Sequence, residues 1–373
     1  MLTRADFLIR DDITFLNHGS FGACPKRVFA QYQAWQLRLE RQPVAFLLRE
    51  RVALMADACE QIAAYLNVSA DDIVFVTNAT SGMNIALRSL PLRAGDEILT
   101  TSHEYGAINR LLAYTAAKTG ARIVRHEVKL PYASDSDFTE ALFALATPRT
   151  RAIVISHITS PSALIFPIAQ ICQRARQQGI LTIVDGAHAP GQLPLDLDSI
   201  GADIYTGNFH KWLCAPKGAG FLHARREHHA WLEPLIISHG WRDDSDFVER
   251  NEWGGTRDIA AFLTVPAAIA FLRKHDWDSV VADCHNLATQ AQDRLCQRYN
   301  LESYSQGQFA QMVTIPLPPC DAAQIKARLY DEHSIEIPVG MFMGRCGLRL
   351  SVAAYNNAGD IDHLLAALGD LLG

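Results

Sequence analysis

With 373 residues, 49% of them hydrophobic and 20% charged, the chain can fill more than one core and matches neither a disordered nor a membrane-embedded composition. A formal net charge of −6 and the lack of any basic run give no footprint for a phosphate backbone, so nucleic acid is not an expected partner. The 8 cysteines stand singly, without the paired short spacings of a disulfide framework or a structural zinc site, so no metal is expected.

The first residues, MLTRADFLIRDD, meet acid before an apolar stretch builds, and no apolar run reaches spanning length. A cytoplasmic protein without a membrane partner is the expectation. ITFLNHGSFGACP, from Ile13 to Pro25, reads as a strand end or loop rather than a helix, presenting Asn17, His18 and Ser20. Apolar residues at threes and fours between Arg27 and Asn67 predict two helices separated at Pro43.

Next, Ile73 to Thr77 is a β-branched run. The polar turn Asn78 to Gly82 and a helical stretch follow it. A helix N-terminus presents unpaired amides and the positive end of a dipole, so a Thr- and Ser-rich turn there can hold a phosphate, although an N-cap without any ligand has the same composition. The order recurs: DEILTT leads into SHEYGA, a helix covers Arg110 to Thr119, and ARIVRHEV is a strand again. Ala152 to Ser156, Leu181 to Asp185 and Asp203 to Thr206 are further strands, with helices such as Ile168 to Gln178 between them. Strands alternating with helices predict a mostly parallel sheet covered on both faces, with ligands outside the carboxyl ends of its strands.

After about Gly255 the pattern turns to amphipathic helices, Ile259 to Leu272 and Asp278 to Tyr299. The strands QMVTIPL, IEIPV and GLRLSVAAY follow, and a last helix runs from Ile361 to Leu372. This composition suits a smaller α/β domain. The expected division is an N-terminal segment, 1–25, contributing to a cleft, a large domain, 26–255, and a small domain, 256–373.

Two residues at the strand ends carry the chemistry. Asp185 closes a buried strand, where a carboxylate needs a partner. Lys211 closes the next strand unit, where its amine can form an imine. A lysine Schiff base with an acidic partner for a pyridinium nitrogen is what a protein contributes to pyridoxal phosphate chemistry. Each residue alone has an ordinary explanation as a turn or surface side chain; in order and on one sheet edge they point together.

The set NATSGMN (78–84), SHEYGA (102–107), VDGAHAPG (184–191), NFHKWLCAPKGAGFL (208–222), WGGTRD (253–258) and LRLSVAAYN (348–356) resembles the class V, fold-type I aminotransferase family of pyridoxal phosphate enzymes. HKWLCAPKG, FLNHGSFG and SVAAYN are most similar to its isopenicillin N epimerase-like branch. The resemblance implies an α/β fold: a large domain with a mostly parallel seven-stranded sheet in an α/β/α sandwich, plus a smaller C-terminal α/β domain. It implies pyridoxal 5′-phosphate as cofactor, an amino-acid-like small-molecule substrate, and a homodimer with the site at the subunit interface.

Residue by residue, the resemblance implies that Lys211 forms the imine with the cofactor and later shuttles the α-proton. Asp185 pairs with the pyridine nitrogen, and His188 lies near the phenolic oxygen. Tyr105, ahead of His103, stacks on the cofactor ring. Thr80, with the amides around Ser81, holds the phosphate together with Asn208 and His210, and Thr256 reaches the phosphate of the partner subunit. Arg349 clamps the substrate carboxylate, with Asn17 and His18 on the substrate side.

Two departures bear on the reaction. Phe209 stands where the wider family has a small residue. Cys346 and Cys320 do not fit the mobile-loop cysteine of a desulfurase. The implied reaction is epimerisation or transamination at the α-carbon, with a carbon–sulfur lyase or cysteine desulfurase-like reaction as the alternative and a non-catalytic cofactor-binding protein as the remaining one.

Overall fold

Short β-branched runs build the centre of the molecule. The computed structural model describes residues 2–342 and 344–373. Its strands, in chain order, are β1 (Thr14–Phe15), β2 (Ile73–Val76), β3 (Glu97–Thr101), β4 (Arg122–His126), β5 (Thr150–Ser156), β6 (Leu181–Gly186), β7 (Ile204–Asn208), β8 (Gly220–Ala224), β9 (Met312–Pro316), β10 (Ile335–Glu336), β11 (Val339–Phe342) and β12 (Arg345–Ser351).

The large sheet has seven strands in the order β2-β8-β7-β6-β5-β3-β4. Only β8 runs against its neighbours; the other pairings are parallel. Buried on both faces, its strands alternate between two cores. Ile73, Phe75, Leu99, Ile153, Val184 and Tyr205 enter one, and Val74, Val76, Ile98, Val154, Ile183 and Ile204 enter the other. The sandwich with helices on both faces is therefore the fold-type I architecture that the motifs imply. β8 went unread in the sequence because GFLHA, flanked by glycine and charge, is too short to show a period.

The register brings the carboxyl ends together. Ser156 pairs with Asp185, Asp185 with Thr206, and Gly186 with Gly207, so β5, β6 and β7 end level with one another. Helix Ala79–Ser89 starts at the same edge, directly after β2. It can lie close on β7 because Gly82 has no Cβ: one built there would stand 2.1 Å from Thr206 Oγ1.

A second core surrounds the antiparallel sheet β11-β12-β9, covered by helices Trp277–Tyr299, Ala322–Asp331 and Ala358–Leu372. Two segments cross between the units. Leu16 packs into the second core, where β1 pairs with β10, while Ile259, Phe262, Val265 and Leu272 pack into the large-sheet core.

The segment read as a loop before Pro25 contains one helical turn, His18–Phe21. Gly22 ends it at φ +72°, and a Cβ there would meet the carbonyl of His210 at 2.0 Å. The turn is held by this approach to the strand-end loop rather than by helix propensity, so HGSFG alone could not signal it.

Candidate active site

The strand ends enclose a cleft of about 340 Å³. Lys211, Asp185, His188, Tyr105, Thr80, Asn208 and His210 all line it, with Ser20, Phe21 and Ser160 from segments outside the sheet strands.

On one side lies the start of helix Ala79–Ser89. Asn78 is its N-cap and accepts from the Ser81 amide at 2.9 Å. Asn208 Oδ1 accepts from the Ala79 amide at 2.8 Å, which ties this turn to the end of β7. Ser81 Oγ pairs with Thr77 Oγ1 at 2.8 Å. Such a turn, at the positive end of an eleven-residue helix, suits a phosphate. His210 Nδ1 donates to the carbonyl of Ala219 at 3.0 Å, and burial pushes the ring down to about 4. Neutral His210 then presents only a lone pair at Nε2, so it donates to a phosphate oxygen only after taking up a proton.

At the floor, Asp185 is buried at the end of β6 and accepts from the Ala187 amide at 3.0 Å. Burial raises its pKa, against the Ala187 hydrogen bond and the charge of Lys211. A buried carboxylate raised in this way is suited to a group that brings a positive charge. Burial, helped by the charge of Arg349 and opposed by Asp185, lowers Lys211 to about 8. Its Nζ lies 3.2 Å from His188 Nε2.

β12 delivers Arg349 behind the cleft wall formed by Ser160 and Ser20; it is buried yet cationic, with burial lowering it to about 10. Nη1 donates to the carbonyl and the hydroxyl of Ser160 at 2.8 and 3.0 Å, Nη2 donates to Ser20 Oγ at 3.2 Å, and Nε has no partner among the described residues.

Three expected residues lie elsewhere. His18 is not on the substrate side of the cleft but buried behind the lysine: Nε2 donates to the Lys211 carbonyl at 3.0 Å, and Nδ1 accepts from the Tyr355 hydroxyl at 2.9 Å. Burial drops its pKa to about 3. It fixes the backbone of Lys211. Asn17 turns to Glu336, at 3.0 Å, and to Ser20, whose hydroxyl it accepts at 2.5 Å. Thr256 is exposed and does not line the cleft.

Sequence reading missed Glu104. This carboxyl is buried between the Thr101 hydroxyl, at 2.7 Å, and the Ser156 hydroxyl, at 2.6 Å. Burial raises it to about 7, against those hydroxyls, and the nearby charge of Asp185 adds to the rise. Its place beside two strand ends was the available signal. His103 is fully buried and bonds Ser162 at 2.8 Å rather than facing the cleft. Cys320 and Cys346, read singly, meet with sulfurs 2.8 Å apart. Burial, and then Cys346, pushes the Cys320 thiol up to about 12, unlike a reactive thiolate.

Residues 25–364 match the family described as Aminotransferase class-V. The chain belongs to that family. It is 34% identical to isopenicillin N epimerase of Amycolatopsis lactamdurans, over 96% of this chain and 95% of the relative. It is 27% identical to a probable chloroplastic L-cysteine desulfhydrase of Arabidopsis thaliana, over 97% of this chain and 83% of the relative. Among solved structures, C-DES with glycine covalently linked to its PLP cofactor superposes with a TM-score of 0.86 at 21% identity, covering 99% of this chain and 100% of that one. The chain is an enzyme of the pyridoxal phosphate-dependent class, and pyridoxal phosphate is its cofactor. Among the described residues no helix is long and apolar enough to cross a membrane.

Proposed function

We propose that this enzyme inverts the α-carbon of an amino acid or amino-acid-derived substrate, as an isopenicillin N epimerase-like protein. The observation that carries the reading is one cleft lined by a lysine lowered to about 8 and a buried carboxylate, with a buried arginine bonded to Ser160 and Ser20 of its wall. The similarity to isopenicillin N epimerase supports the choice among reactions.

Bound in the cleft, pyridoxal phosphate supplies the electron sink for charge at the substrate α-carbon. Asp185 would keep a proton on the ring nitrogen, His188 would offer Nε2–H, and Tyr105 would provide an aromatic face for the ring. Thr80 at the helix start, with the Asn208 side-chain amide and His210 once protonated, would hold the phosphate. Arg349 takes the substrate carboxylate in its planar fork. Lys211 Nζ, its backbone anchored by His18, takes the α-proton.

We further infer a cytoplasmic homodimer. Phe21, 70% exposed, and the exposed Ile236 and Ile237 are apolar side chains that a partner would cover, and exposed Thr256 is free to reach the partner's phosphate. The packing of Ile259 to Leu272 on the large-sheet core supports moving the expected domain boundary from 255 to near His275, with the N-terminal segment bridging both units.

A carbon–sulfur lyase is the second reading, favoured by the similarity to cysteine desulfhydrases. The test is incubation with candidate amino acids in deuterated solvent. Epimerisation gives both stereoisomers with deuterium at the α-carbon, while pyruvate and sulfide would transfer the enzyme to the lyases. Loss of the cofactor's visible absorption band in Lys211→Ala is expected; a wild type that takes up no cofactor would overturn both readings.

A further inference from the structure

Lys211 is bracketed by two histidines with one indole between them. His18 holds its carbonyl and His188 meets its amine, while Trp212, itself fully buried, packs on the His18 ring with centroids 4.8 Å apart. The indole Nε1–H of Trp212 donates to His188 Nδ1 at 3.2 Å.

An indole nitrogen is a donor only. His188 Nδ1 must therefore carry the lone pair, and a neutral ring then carries its one proton on Nε2. Nε2 is the atom facing Lys211 Nζ at 3.2 Å. A donor at Nε2 needs an acceptor, and the amine accepts only as free base. An ammonium at Lys211 would face Nε2–H donor to donor, or would force the proton to Nδ1 against the indole N–H.

We propose that Trp212 is a positioning residue: by occupying His188 Nδ1 it fixes the Nε2–H tautomer and thereby favours the uncharged amine at Lys211 over the ammonium. The charged and titratable groups facing this pair are Asp185 on β6, Arg349 on β12 and His210 on the preceding loop residue. Asp185 favours the ammonium, and Arg349 disfavours it. The hydrogen-bond polarity set by Trp212 acts alongside Arg349. It also means that His188 presents a donor, not a lone pair, to whatever anionic oxygen enters the cleft. The proposal rests on Lys211 being the imine-forming lysine only in its kinetic consequence; the tautomer itself does not depend on that assignment.

Two measurements on the full-length protein test it. In ¹⁵N-histidine NMR of the cofactor-free chain, the His188 resonances, assigned by their loss in His188→Gln, should show a protonated Nε2 and a bare Nδ1. The Nδ1–H tautomer would overturn the proposal whether or not any variant folds. In the second, the rate of imine formation with added pyridoxal phosphate is followed against pH. The wild type should reach half its maximal rate near pH 8, where the amine titrates. Trp212→Phe removes the N–H and keeps an aromatic ring, and should shift that midpoint upward by about one unit, a rate about tenfold lower at neutral pH. A folded Trp212→Phe protein with an unmoved midpoint refutes the role, since simple loss of packing would lower the rate at every pH alike. If wild type forms no imine, the Lys211 assignment fails, and the NMR result still decides the tautomer.

Discussion

Arg349 Nη1 is committed to Ser160, with the carbonyl at 2.8 Å and the hydroxyl at 3.0 Å. Nη2 bonds Ser20 at 3.2 Å, so the guanidinium is held at both Nη atoms, and Nε has no partner among the described residues. A planar carboxylate is the ligand that satisfies such a fork. Arg349→Ala should raise the KM for carboxylate substrates, lowering kcat/KM on the order of 30- to 100-fold, while the visible cofactor band survives. Arg349→Lys should recover only part of this, because an ammonium cannot make the paired contact. Steady-state kinetics beside absorbance spectra check both; an unchanged KM would remove Arg349 from substrate binding.

Close contact at Gly82 predicts a cofactor-affinity defect. A Cβ on this residue would meet Thr206 Oγ1 at 2.1 Å and Thr206 Cβ at 2.8 Å, so Gly82→Ala must push the start of helix Ala79–Ser89 away from β7. Overpacking of this kind costs about 1–3 kcal/mol. The amide of Ala79 would also leave Asn208, and the dissociation constant for pyridoxal phosphate should rise at least tenfold, as read by equilibrium dialysis.

Glu104 predicts a pH-dependent stability. Its carboxyl is raised from 4.5 to about 7, so between those values the folded chain binds more protons than the unfolded one, and stability falls as pH rises through that window. Glu104→Gln has no charge to bury and can still bond the hydroxyls of Thr101 and Ser156. In cofactor-free protein its stability relative to wild type should grow across the window, by up to about 3 kcal/mol above pH 7. Urea melts at several pH values would show parallel curves if the carboxyl titrated normally.

Lys211 predicts the complementary behaviour. Its amine falls from 10.5 to about 8, so the unfolded chain binds more protons between those values and stability rises with pH across them. Below pH 8 the full penalty of a buried ammonium remains. Cofactor-free Lys211→Met should exceed wild type there by roughly 1–3 kcal/mol, with the gap closing toward pH 10.5. Thermal denaturation across this range measures it.

Cys320 faces Cys346 with its own thiol raised to about 12, so Cys320 is not a poised nucleophile. Cys320→Ser should keep its turnover with amino-acid substrates. A loss of activity that outstrips any loss of stability would point instead to persulfide chemistry.

Strand and helix order was legible in the sequence because it is written in local periodicity: β-branched runs of four to seven residues for β2 to β7, and threes and fours for the helices. Asp185 and Lys211 were legible for the same reason, since each closes a unit and β6 and β7 are adjacent. Tertiary structure decided the rest, because burial and hydrogen-bond partners come from remote chain. His18 looked like a cleft residue until packing placed it behind Lys211, 193 positions away. Glu104 looked like one polar residue in a turn until β3 and β5 closed around it. Trp212 is a neighbour of Lys211 in sequence, yet only the return of the chain at His188 gives its indole an acceptor. Residue types fixed the chemistry available to the chain; the fold assigned each group its proton.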